Sequence, residues 1–283
     1  MYRLQKSCGR IRKTVLTQPM PLDRIVKIHA QGNDFLLVPS TAWDTKKTET
    51  IKNLAHRRFG VGADQIVITN INTKTGQASL DIYNQDLSKA TMCLNAAYAC
   101  SQYLLSHDNT LAWSLNIGDC LFHAQPPHQL SFDATPFLSK PSHISIPHTP
   151  HAVQGLYRNT INEHFLIPTE NPSLFPLEAT AMTVLNSNQF PRGINISCYN
   201  WNGDTATVRT FERGVGPTYS CGSASLAVFL SSPQIRTQAT IVQPGGHITF
   251  NATYHNGQPT TIYMQGQYSF IASILNQPNH PFD

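Results

Sequence analysis

Met92-Cys93-Leu94-Asn95-Ala96 and Ser220-Cys221-Gly222-Ser223-Ala224 are the two stretches from which the rest of the chain is read. In each, a cysteine stands where an apolar helical periodicity begins: Met92, Ala96, Ala97, Cys100 and Leu104 in the first case, and Ala224, Ala227, Val228 and Leu230 in the second. Upstream, the strand-like run Leu80 to Tyr83 stops at Asn84, and the alternating run Ala206 to Glu212 stops at Glu212. Asn84 precedes Cys93, and Glu212 precedes Cys221, by the same nine positions. The second half thus repeats the first in outline, although a match this short is also within the reach of chance.

Working outward, Ile25 to Ile28 and Phe35 to Val38 read as strands around the turn Gln31-Gly32-Asn33-Asp34. Ile51 to Arg58 reads as a helix, Gln65 to Thr69 as a buried strand, Glu178 to Leu185 as a helix and Ile194 to Tyr199 as a strand. The stretch Pro126 to Pro150, rich in Pro, Ser and His, shows no sustained periodicity and reads as a connection. The expected organisation is a basic arm over 1–22, a first domain over 23–140 and a second over 141–283, each with its own core. The final strand is expected to pack back on the first domain.

Composition narrows the class. Of 283 residues 40% are hydrophobic and 13% charged, which suits a globular protein and not a disordered one. No apolar run reaches the roughly 18 residues that cross a bilayer, and the N-terminus lacks a secretory h-region, so a cytoplasmic protein is expected. The net charge of +4 is concentrated in Arg3, Lys6, Arg10, Arg12 and Lys13, which have no acidic residue among them. The body is therefore close to neutral, and a nucleic-acid groove is not expected. The arm reads as a solvated extension, with a short targeting segment as the alternative. Cys8, Cys93, Cys100, Cys120, Cys198 and Cys221 form no CxxC pair and no metal-ligand spacing with histidines, so reduced thiols and no metal are expected. Cys100, Cys120 and Cys198 read as packed structural residues.

The chemistry open to Cys93 and Cys221 follows from their position. Unpaired amides and the positive end of the helix dipole lower a thiol pKa and cradle a carboxylate. Two such helix starts facing one another would let one thiol remove a proton and the other return it to the opposite face, inverting a stereocentre without a cofactor.

Further motifs make the reading specific. Gly32-Asn33-Asp34-Phe35, Phe59-Gly60-Val61-Gly62-Ala63-Asp64-Gln65, Tyr83-Asn84-Gln85-Asp86, Met92-Cys93-Leu94-Asn95, Phe190-Pro191 with Asn195, Glu212-Arg213-Gly214-Val215-Gly216 and Cys221-Gly222-Ser223 occur in this order. Together they resemble the motifs of the diaminopimelate epimerase family. Gln243-Pro244-Gly245-Gly246-His247 and Ile262-Tyr263-Met264-Gln265-Gly266 are similar to its last strands, so the resemblance runs from about residue 24 to about 272.

The resemblance implies an α/β fold of α+β type: two pseudo-symmetric domains, each a mixed sheet around a central helix, with the active site between them. It implies an isomerase, an amino-acid epimerase or racemase that converts LL-2,6-diaminopimelate to the meso form in lysine and peptidoglycan precursor synthesis. Cys93 and Cys221 would be the acid and base, and Leu94, Asn95, Gly222 and Ser223 would hold the carboxylate beside the inverting carbon. Asn33, Gln65, Asn84, Asn171, Asn195, Glu212 and Arg213 would recognise the distal end. No metal, pyridoxal phosphate or nucleotide is implied. The expected partner is a small amino-acid substrate, without nucleic acid or membrane, and a homodimer stays open as an assembly.

Departures from the family pattern keep two other readings in view. Cys-Gly-Asn-Gly-Ala-Arg becomes Cys93-Leu94-Asn95-Ala96-Ala97-Tyr98, the Gly after Ser223 becomes Ala224, and Gly-Asn-Pro-His becomes Glu170-Asn171-Pro172-Ser173. Lost glycines reshape a backbone cradle, and a serine cannot carry the charge of a histidine. The alternatives are a racemase of another amino acid on the same fold, and a catalytically inactive binding protein.

Overall fold

The computed structural model describes residues 22–42, 48–147 and 151–274. Cys8 and the basic arm, apart from Leu22, lie outside the described residues. Leu22 packs against the main core.

The first half runs β1 (Ile25–Ala30), β2 (Asn33–Pro39), α1 (Thr48–Ala55), β3 (Gln65–Asn72), β4 (Gln77–Asn84), β5 (Lys89–Ala90), α2 (Leu94–His107), β6 (Trp113–Ile117), β7 (Cys120–Gln125) and β8 (Gln129–Asp133). After β9 (Ser142–Ile146) the succession returns as β10 (Val153–Thr160), β11 (Asn162–Pro168), α3 (Leu177–Asn186), β12 (Asn195–Asn202), β13 (Thr205–Glu212), β14 (Gly216–Thr218), α4 (Gly222–Leu230), β15 (Gln238–Gln243), β16 (Gly246–His255) and β17 (Gln258–Gly266). The chain closes with β18 (Tyr268–Ile274).

Pairing repeats with the order. β2 lies parallel to β3 with Phe35 opposite Gln65, and β11 lies parallel to β12 with His164 opposite Asn195. β4 pairs antiparallel with β3 and parallel with β6, as β13 does with β12 and β15. A repeat carried through eight strands and two helices of each half is beyond chance, so the duplication that two short segments left open is a property of the fold. The architecture is a mixed α/β one of two like halves.

Each half wraps its strands around one helix. Every residue of α2 from Leu94 to Leu105 is buried, and so is every residue of α4 from Gly222 to Phe229. A helix buried on all sides is mostly small or apolar, as the alanines, leucines and serines of these segments are, and the buried polar Asn95 and Gln102 of α2 are hydrogen-bonded. α2 packs on β1, β6, β7 and β18, while α4 packs on β10, β11 and β16.

The two cores that the sequence suggests are one. A single apolar cluster joins Val26, Phe35, Leu104 and Phe122 of the first half to Val208, Leu226, Ile241 and Ile262 of the second. Two smaller clusters lie under α1, around Leu36, Ala55 and Ile66, and under α3, around Phe165, Ala181 and Ile196. The halves merge because β8 pairs with β17, Leu130 opposite Met264, and because the first turns of α2 and α4 touch. β18 pairs with β1, Ile25 opposite Ile274.

Of the stretch Pro126 to Pro150, the described residues 126–147 hold more regular structure than the composition suggests, namely β8 and β9. In β8 only Leu130 and Phe132 face the core, too short an alternation to stand out among flanking prolines. β9 is exposed along most of its length and is kept as a strand by its pairing with β10.

Candidate active site

Cys93 is the N-cap of α2 and Cys221 the N-cap of α4, each in extended backbone that turns directly into the helix. The two helix starts meet head to head. A Cβ on Gly222 would lie 2.7 Å from Asn95 Oδ1 and 2.9 Å from Leu94 Cβ, so glycine is required by contact and not by backbone angle. Leu94 and Asn95 are themselves 1% exposed, which leaves them no room to yield.

Around Cys93, the thiol donates to Asn33 Oδ1 at 3.8 Å, and Asn95 Nδ2 donates to the same oxygen at 3.3 Å. Asn95 also reaches across to the second half, donating to the Ser220 carbonyl and hydroxyl at 3.3 Å. Asn33 is braced from behind, its Nδ2 donating to Asp64 Oδ2 at 3.0 Å. Asp64 and Asp34 share Arg57, and Lys27 adds a 3.0 Å ion pair to Asp34.

Cys221 has a denser setting. Its amide donates to Gln243 Oε1 at 2.9 Å, its Sγ lies 3.5 Å from Ser223 Oγ, and the Glu212 carboxylate is near enough to act on it electrostatically. Thr218 Oγ1 donates to Glu212 Oε1 at 2.7 Å. Ser223 Oγ further meets His164 Nε2 at 3.1 Å and accepts from Asn162 Nδ2 at 3.4 Å. Gln243 Nε2 ties Ser220 and Ser225 together at 3.2 and 2.8 Å.

The halves also meet above the helix starts. Gln31 Nε2 donates to the Gln267 carbonyl at 2.9 Å, and Ser220 Oγ donates to Gln31 Oε1 at 3.4 Å. A Cβ on Gly245 would sit 1.8 Å from the Gln31 carbonyl oxygen, so the turn between β15 and β16 lies backbone against backbone on the turn between β1 and β2.

The electrostatics correct one expectation. Burial pushes the Cys93 thiol up to about 12, although the first-turn amides of Ala96 and Asn95 pull the other way. Burial raises Cys221 well above the ordinary thiol value, the Glu212 charge raises it further, and the Ser223 hydroxyl and Ala224 amide oppose both. The helix-start effect read from the sequence is present, but desolvation outweighs it, so both thiols rest protonated at neutral pH. Burial likewise raises Glu212, which makes it a better acceptor for a thiol proton.

The structure therefore joins Cys93, Cys221, Asn33, Leu94, Asn95, Glu212, Gly222 and Ser223 in one connected set. Gln65 and Asn84 form a neighbouring pair at the ends of β3 and β4, with Gln65 Nε2 donating to Asn84 Oδ1 at 3.0 Å and Gln65 Oε1 buried without a partner. Asn195 accepts the Arg213 amide at 2.9 Å, while the exposed Arg213 side chain runs along Gly193 toward the Arg192 carbonyl. Asn171 is exposed and spends its side-chain oxygen on the Ser173 amide at 3.0 Å, a local turn. Cys100, Cys120 and Cys198 are buried free thiols outside the set.

Residues the sequence reading passed over are Asp64, Asn162, His164, Ser220 and Gln243. Two signals were there to be used. Asn162 lies almost as far ahead of Cys221 as Asn33 does ahead of Cys93, and both open the second strand of their half. Gln243 lies in a motif already singled out for its similarity to the family, Gln243-Pro244-Gly245-Gly246-His247.

Comparison with known proteins agrees with the fold. A family model described as diaminopimelate epimerase matches residues 25–119 and 157–271. Diaminopimelate epimerase of Methanocella arvoryzae is 26% identical over 89% of this chain and 99% of its own length. That of Archaeoglobus fulgidus is 27% identical over 87% and 93%. Among solved structures, a PhzF-family phenazine biosynthesis protein of Bacillus anthracis superposes with a TM-score of 0.63 at 11% identity, covering 91% of this chain and 100% of its own. A probable proline racemase of Agrobacterium radiobacter K84 gives 0.59 at 12%, covering 92% and 94%. At such identities the structures bear on the fold alone.

Duplicated halves around two central helices, taken with these matches, define an isomerase of the amino-acid epimerase and racemase class. The chain belongs to the diaminopimelate epimerase family. No helix among the described residues is long and apolar enough to cross a membrane.

Proposed function

We propose that this protein inverts one stereocentre of LL-2,6-diaminopimelate to give the meso form, with Cys93 and Cys221 as the two proton carriers. The observation that carries the reading is the head-to-head meeting of two cysteine-capped helices, Gly222 against Leu94 and Asn95. Substrate carboxylate in the joint of the two helix starts would receive amide hydrogen bonds from both first turns, which hold it and stabilise charge that spreads from the α-carbon. One thiol first gives its proton away. For Cys221 the neighbouring Glu212 carboxylate, itself raised by burial, is the acceptor at hand. The thiolate then takes the α-proton, and the opposite S–H delivers its own proton to the other face. The enzyme finishes with the two sulfurs exchanged in protonation, and no electron is gained or lost.

Orientation comes from the far end of the substrate. Asn33, Gln65, Asn84, Asn195, Glu212 and Arg213 supply amide, carboxylate and guanidinium groups for a second amino-acid end, and Asn171 would have to leave its local turn to join them. Gln65 Oε1, buried without a partner, is an acceptor suited to an ammonium group.

A second reading, a racemase of a shorter amino acid, is favoured by two observations: Leu94 fills the joint where the family has glycine, and Arg213 and Asn171 are exposed and engaged locally. Deuterium incorporation at the α-carbon in D2O separates the readings. Exchange with LL-diaminopimelate that vanishes in Cys93→Ala and in Cys221→Ala is the expected outcome. Exchange only with glutamate, proline or another amino acid from a panel would transfer the assignment to that substrate, and exchange with none would remove the catalytic reading.

A further inference from the structure

The repeat places unlike residues at one pair of equivalent positions. Phe35 of β2 and His164 of β11 each stand opposite the first recognition residue of the next strand, Gln65 and Asn195. Phe35 is core packing. His164 is fully buried, with its Nε2 3.1 Å from Ser223 Oγ and its Nδ1 without any partner.

We propose that His164 is a positioning residue that, with Asn162, turns the Ser223 hydroxyl into a hydrogen-bond donor to the Cys221 sulfur, favouring the thiolate. The proposal rests on the two-thiol reading above, and it follows from counting donors and acceptors. A serine hydroxyl has one proton and two lone pairs. Asn162 Nδ2 donates into one lone pair at 3.4 Å. A proton on His164 Nε2 fills the second and leaves an acceptor nitrogen, not an N–H, unpaired at Nδ1. With both lone pairs taken, the Ser223 proton has only outward acceptors left, and Cys221 Sγ lies 3.5 Å away. With both of its lone pairs filled, the serine oxygen cannot accept the thiol proton, so of the two possible donors in this contact the hydroxyl is the one left. Sulfur is thus left free to accept, and it accepts still more strongly once ionised.

His164 stays neutral throughout, because burial pulls it down to about 3. It acts through the direction of its N–H and not through charge. The charged and titratable groups that face Cys221 are Glu212 of β13 and Cys93 at the start of α2, and both raise it. Ser223 at the start of α4 opposes them, and β15 contributes the neutral amide of Gln243. The first half-site has no equivalent device: Cys93 donates to Asn33 there, and no hydroxyl stands between Asn33 and the sulfur.

Alkylation by a small neutral haloacetamide at fixed pH, read peptide by peptide by mass spectrometry, tests this without substrate or turnover. Only the thiolate reacts, so one unit of upward shift slows alkylation about tenfold. His164→Phe, which installs the residue of the equivalent position, should slow Cys221 about tenfold or more while Cys93 keeps its rate. His164→Gln, which keeps a donor near the Nε2 position, should restore most of it. Cys93, the other thiol of the site, reports any change of access. An unchanged Cys221 rate in His164→Phe overturns the proposal, as does a loss that His164→Gln fails to recover, which would leave His164 a packing role. Either result leaves the deuterium exchange assay, and with it the two-thiol reading, untouched.

Discussion

Gly222 has no room for a side chain where the two helix starts meet. A methyl group there meets Leu94 Cβ, which cannot swing aside, and the side chain of Asn95, whose Nδ2 already serves Asn33 and Ser220. Gly222→Ala should therefore push α4 off α2, cost about 1–3 kcal/mol of stability as overpacking does, and lower kcat/KM about 100-fold by displacing Cys221. Urea denaturation and steady-state kinetics read the two effects separately, and wild-type values in both would mean the helix starts are not in fixed contact. At this scale the sequence was a good guide to residue types. Cys93 and Cys221 were marked by their positions at helix starts, and Asn33 and Glu212 by the motifs that resemble the family's. His164 was not, because its role depends on a serine far along the chain that only the packing of β11 on α4 brings within reach.

Between elements, the four charges behind Asn33 join β1, β2 and the loops flanking α1 and β3. Burial alone would raise Asp34, yet hydrogen bonds from Arg57 and Lys27 outweigh it and hold the carboxylate at about 2. Its folded value lies below the ordinary 3.8, so the stability it contributes is complete above about pH 4 and is lost as pH falls toward 2. Asp34→Asn should cost about 2 kcal/mol at pH 7, with the deficit shrinking below pH 4 as the wild type loses the same interaction. Chemical denaturation at pH 7, 4 and 3 measures this, and a deficit independent of pH would mean that the lost amide contacts, not the charge, matter. The Lys27 and Arg57 pairing was illegible beforehand, since periodicity places strands and helices but does not say which loops fold back on them.

Over the whole molecule, the shared core predicts how the protein comes apart. The central cluster runs through both halves, and the β8–β17 and β1–β18 pairings tie strands far apart in the chain. Unfolding should be one cooperative transition, not two. Trp113, buried in the first half, and Trp201, in the second, serve as reporters. Variants retaining only one or the other should each lose fluorescence at the same denaturant concentration at which they lose circular dichroism. A fluorescence midpoint that departs from the circular dichroism midpoint within either variant would show halves that unfold independently.

By itself the sequence determined the element types around both cysteines, their placement at helix starts and the family to which the chain belongs. These are local properties: apolar spacing, polar residues at strand ends and short motifs are carried by neighbours in the chain. Tertiary structure decided three other things. It showed the repeat to be complete, by pairing β11 with β12 as β2 is paired with β3. It merged the expected two cores into one, by hydrogen-bonding β8 to β17. It also reversed the sign of the thiol shifts, because the cost of burying a charge depends on everything packed around Cys93 and Cys221 and not on the helix that each one caps.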